Sequence, residues 1–138
     1  LSEMKQELAA DREMSHLLAL HHPPGTIVLG HDQAEVFNAD ELAKVIAGHN
    51  VIGMLAGHYH LSQLTYLGGV PCAVTKGICS SITWSDPRNM LHERKSGGYN
   101  LVHIRDDQML VRFVDVTNER ETLRWAEVDW HNQQPVRK

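Results

Sequence analysis

The chain has 138 residues and a formal net charge of −4, its acidic and basic side chains interspersed. That length bounds it to one domain or part of one, and the charge balance leaves no basic face for nucleic acid or anionic lipid. No apolar run approaches the ~20 residues of a membrane span and nothing at the start reads as a signal peptide, so no membrane partner and a cytoplasmic location are expected.

Residues 2–15 read as a helix, with Ser2 able to cap it and Leu1, Met4 and Leu8 recurring on one face. The run HLLALHH at 16–22 follows, stopped by Pro23, Pro24 and Gly25. With no polar residue alternating inside it, it predicts a strand buried on both faces. Residues 25–37 are loop-like, and His31 and Asp32 within them are expected to be solvated. NADELAKVIAG at 38–48 is the clearest helix: Asn38 and Glu41 have capping-box spacing, Leu42, Val45 and Ile46 form a stripe, and Gly48 is placed to end it. VIGMLAG at 51–57 predicts a second buried strand, so this part alternates helix and strand as an α/β domain with a parallel pair does.

Beyond it the character changes. SQLTYLGG, VPCAVTKG, ICSSITWS, GYNLVHIRDD and QMLVRFVDVT read as successive short strands, with a hairpin turn at Asp106-Asp107. Residues 85–98 read as a polar loop, TLRWAEVDW as a further strand, and the last residues as loose. Cys72 and Cys79 match no zinc spacing and are expected to be a reduced, buried pair.

Histidine is over-represented, with ten residues. Two predicted strands each end in histidine and then a breaker, LHHPPG and AGHYH, and ligands collect outside the carboxyl ends of strands in open α/β sheets. If those strands are neighbours, His21, His22, His58 and His60 share one edge of the sheet. In an extended segment residues i and i+2 face one side, so His58 and His60 could address one ion, or two ions ~3.5–4 Å apart. A hydrogen-bonded structural role is the alternative for each.

LHHPP followed by GHYH resembles the last two metal-binding motifs of the calcineurin-like metallophosphoesterases. The stretches NADELAKVIAGHNVIGMLAGHYH and GVPCAVTKG…GGYNLV look closest to the branch of class III cyclic-nucleotide phosphodiesterases and glycerophosphodiesterases, a likeness covering most of residues 14–116. The resemblance implies an αββα sandwich and hydrolysis of phosphodiesters with two divalent ions, drawn from iron, manganese, zinc and cobalt. It implies His21 and His58 as ligands of one ion and His60 as a ligand of the other. His22 is a substrate-side residue or a support behind the ligands, with a structural role equally open.

None of the motifs that precede these in the family (Asp-x-His, Gly-Asp, and Gly-Asn-His-Asp or -Glu) stands ahead of LHHPP in the chain. The expectation is therefore the C-terminal half of such a domain at 1–117 and an extension at 118–138. Such a half carries no acid or base of its own, holds metal partially or not at all, and is inactive without its N-terminal half or another copy. The competing expectation is a non-catalytic metal-binding remnant or interaction module of the same fold.

Overall fold

The computed structural model describes residues 1–25, 35–85, 90–94, 96–116, 122–129 and 134–135. Helix α1 spans Ser2–Ala10, strand β1 His16–Ala19, helix α2 Ala39–Ile46 and strand β2 Val51–Ala56. Strands β3 (Gln63–Leu67), β4 (Val70–Val74), β5 (Ser81–Ser85), β6 (Met90–Arg94), β7 (Gly98–Arg105), β8 (Gln108–Asp115), β9 (Thr122–Asp129) and β10 (Gln134–Pro135) follow. The result is a mixed α/β chain, in which helix and strand alternate first and antiparallel strands come after.

The first sheet has the order β1-β2-β4-β3. β2 is central because its apolar run can be covered on both faces; it pairs in parallel with β1 on one side and β4 on the other. β3 and β4 are antiparallel partners. Their two-residue turn is Gly68-Gly69 with φ of 58° and 84°, a left-handed pair that glycine adopts without a Cβ clash. α1 and α2 bury Leu8, Leu42 and Ile46 with Val51, and Met54, Ala56, Cys72 and Val74 form an adjoining cluster within the sheet. Leu18 and Leu20 pack against both clusters. Beside them Gly53 lies close to β8, since a Cβ there would meet Met109 Sδ at 2.5 Å.

Among the described residues two further sheets follow: the antiparallel β10-β9-β6-β5 and the β7-β8 ribbon. The β7-β8 turn falls at Asp106-Asp107, with φ of 51° and 58°. Asp107 also accepts a hydrogen bond from the Ser15 hydroxyl, which ties the turn to the chain just before β1.

Several elements differ from their sequence expectation. α1 stops at Ala10, because Asp11 leaves the helix and its Oδ1 accepts the Met14 N–H at 3.1 Å. β1 is shorter than 16–22 and is an edge strand with alternating burial, so Leu17 is exposed rather than covered. Asn38 occupies the N-cap position of α2 but makes no side-chain cap. The acidic Asp40 and Glu41 in its first turn still favour that end of the helix dipole. The 85–98 stretch contains β6, which pairs with both β5 and β9; backbone pairing there outweighs the polar composition. Cys72 is buried in β4, whereas Cys79 is exposed, and both are free thiols. Among the described residues no helix is long and apolar enough to cross a membrane.

Candidate metal centre

The site begins where β1 and β2 end. Parallel pairing sets their carboxyl ends side by side, and the ladder continues one step beyond both strands. Leu20 N–H donates to Leu55 O at 2.8 Å, and Gly57 N–H donates to His21 O at 3.1 Å. The histidine after each strand is thereby brought beside the other. Downstream of His22, Pro23 is fully buried and its carbonyl accepts the Val36 N–H at 3.0 Å. Gln63 Nε2 donates to Gly25 O at 3.3 Å. The HHPPG segment is therefore held at both ends.

His21, His22 and His58 each offer a ring nitrogen within 4.8 Å of the others. The closest approach is His21 Nε2 to His58 Nδ1, 3.1 Å. The His22 ring stacks on that of His58 with centroids 4.0 Å apart and 25° between planes, while His21 meets His58 edge-on at 72°. Two nitrogens about 2.1 Å from a shared ion lie about 3.0 Å apart at a right angle and about 3.4 Å apart at the tetrahedral angle. The observed separation falls between these limits, so the pair fits one ion. Three imidazoles suit a first-row transition ion, and among the described residues no carboxylate belongs to the group. The group thus fits one ion and does not by itself fit two.

Partial burial, then the neighbouring charges of His22, His21 and His60, push the pKa of His58 below its ordinary value. His58 is thereby biased toward its neutral form, with a lone pair available, the form that binds metal.

His58 and His60 are not in extended backbone. Their φ angles are 68° and 52°, both left-handed, at a cost on the order of 1 kcal/mol each for residues with a Cβ. The i, i+2 alternation therefore does not operate, and the two rings have different partners. His58 joins His21 and His22. His60 lies outside that trio, near enough for its charge to act on His58, and its Nδ1 is 3.0 Å from Ser80 Oγ. Tyr59 between them is buried, with its N–H on Gly57 O at 2.8 Å and its ring edge-on to His58. His31 and Asp32 lie outside the described residues. His22, expected behind the ligands or on the substrate side, stands in the group itself. Ser80 carried no signal in the sequence: it is twenty positions from His60 and belongs to no motif.

No family model matches the chain. Two curated proteins do. One is described as a probable cyclic nucleotide phosphodiesterase of Rhodococcus erythropolis, 32% identical over 114 residues, which is 80% of this chain and 37% of that protein. The other is a cAMP/cGMP dual specificity phosphodiesterase of Mycobacterium tuberculosis, also 32% identical over 114 residues, with 35% of its length covered. Both relatives are phosphodiesterases by name. This chain spans little more than a third of either.

Proposed function

We propose that the chain is the C-terminal part of a calcineurin-like metallophosphoesterase that hydrolyses phosphodiesters, with cyclic nucleotides as the first substrates to test. The observation that carries this reading is the 3.1 Å approach of His21 Nε2 to His58 Nδ1 at the carboxyl ends of two parallel strands. The names of the two relatives give the reaction class. In this reading His21 and His58 hold one ion and His60 a second, while His22, stacked on His58, supports the ligand ring or faces substrate.

Held by these histidines together with the missing carboxylates, a pair of divalent ions would supply phosphoryl polarisation and a bound water of pKa ~7. The histidines bind and orient; none is assigned as acid or base. The carboxylates that a two-ion site requires do not belong to this trio and would come from the rest of a longer polypeptide. Residues 1–117 are assigned to the half-domain and 118–138 to an extension, whose strand β9 pairs with β6.

The lack of a carboxylate in the trio favours a second reading, a non-catalytic module that binds one ion. Metal content and cyclic-nucleotide hydrolysis of the full-length polypeptide separate the two. His21→Ala and His58→Ala are each expected to weaken metal binding by on the order of 100-fold or more, since even residues behind ligands cost 10–100-fold. Metal content unchanged in both variants would overturn the ligand assignment. Metal without hydrolysis of any phosphodiester would leave the module.

A further inference from the structure

His60 is held by three contacts from residues 77–82, a segment seventeen or more positions away in the chain. Ile82 N–H donates to His60 O at 2.8 Å, fixing the backbone. Ser80 Oγ meets the ring at Nδ1, 3.0 Å away, and Ser80 is only 6% exposed. Gly77 lies against the ring itself: a Cβ there would stand 3.0 Å from both Cγ and Nδ1 of His60, and 2.6 Å from Ser80 O. This segment is in turn anchored to β7, where Gly98 N–H donates to Gly77 O at 3.2 Å. A left-handed residue with a Cβ persists only where its surroundings over-determine it. These contacts do so at His60.

A neutral imidazole has one N–H and one lone pair, so whichever role Nδ1 takes decides the role of Nε2. A 3.0 Å contact with a hydroxyl allows either direction. Ligating imidazoles usually donate their other N–H to a supporting acceptor, which fixes the tautomer and the ring orientation. We propose that residues 77–82 form a cradle that holds the His60 ring as its Nδ1–H tautomer, with Ser80 Oγ as acceptor, so that the Nε2 lone pair faces outward. Ser80 is a positioning residue in this scheme, and Gly77 supplies the space in which the ring sits. Both the choice of tautomer and the use of that lone pair for metal rest on the ligand reading of His60 above; the contacts that hold the ring do not.

The test is nitrogen NMR of histidine-labelled full-length polypeptide, stripped of metal, in which the two ring-nitrogen shifts report the tautomer of His60 directly. The wild type is expected to show Nδ1–H, Ser80→Ala to move His60 toward Nε2–H, and Ser80→Thr to restore the wild-type pattern. Metal affinity is expected to fall 10–100-fold in Ser80→Ala and to recover in Ser80→Thr. Gly77→Ala, which leaves the hydroxyl in place, is expected to shift the His60 signals and lower affinity too. An Nε2–H tautomer in the wild type, or a tautomer indifferent to Ser80→Ala, overturns the cradle. The wild-type measurement needs no variant to fold. The expected tautomer without any metal binding would uphold the cradle and overturn the ligand reading alone.

Discussion

At the scale of residues, the three clustered imidazoles make the environment of His58 hostile to a proton. Burial is the larger cause, followed by His22, His21 and His60. In the metal-free protein His58 is expected to titrate below its ordinary value of 6.5, and His22→Ala to move it part of the way back. The sign for stability follows. The folded pKa is lowered, so the unfolded chain takes up the proton first. The contribution of neutral His58 is complete above about 6.5 and is lost as pH falls through the lowered folded value. A proton NMR titration reads this, and a His58 midpoint at or above 6.5 would contradict the clustering. Metal occupancy should fall over the same acid range, because ligating rings must be neutral.

At the scale of elements, α2 matters because it joins the two strands that carry the site. Leu42 is its most buried side chain, 2% exposed, in the cluster with Leu8, Ile46 and Val51. Leu42→Ala is expected to cost about 2–5 kcal/mol in denaturant unfolding and to weaken metal binding with it. The β7-β8 turn offers a finer probe. Both of its residues are left-handed aspartates, where Asn and Gly are the usual occupants. Asp106→Asn is expected to stabilise by a few tenths of a kcal/mol, since its ion pair with Arg105 is exposed and worth little. Asp107→Gly relieves the same backbone cost but gives up the Ser15 hydrogen bond. It should gain less than Asp106→Asn or lose stability, and equal gains in the two variants would show that the Ser15 tie carries nothing.

At the scale of the whole molecule, burial is unevenly distributed. β2 and β4 lie inside a four-stranded sheet with Met54, Cys72 and Val74 essentially inaccessible. Burial there also raises the Cys72 thiol pKa to about 11, which makes it the less reactive of the two cysteines. β7 and β8 form a two-stranded ribbon that leaves Tyr99, Leu101, Leu110 and Phe113 exposed, and such ribbons are marginal without further strands. In this chain, amide exchange is expected to be slowest at 52–56 and 72–74 and at least about tenfold faster along 99–114. Uniform protection across both would mean that the ribbon is covered by something other than the described residues.

By itself the sequence determined the α/β alternation, the α2 helix with its closing Gly48, the apolar β2 and the turn at Asp106-Asp107. These are local matters of periodicity and turn chemistry, written within a few residues of where they act. It also placed His21 and His58 after strands that prove to be parallel neighbours, because an apolar run followed by a breaker marks a strand end whatever packs around it. Only the tertiary structure decided the rest. The insertion of β4 between β2 and β3, the pairing of β6 inside a polar stretch, and the edge position of β1 all depend on partners distant in the chain. The same holds at the site. The left-handed turns that send His58 to His21 and His22, and His60 to Ser80, replace the extended geometry that His-x-His spacing alone implies. Such turns cost free energy locally and are held by the packing around them, so no local pattern announces them.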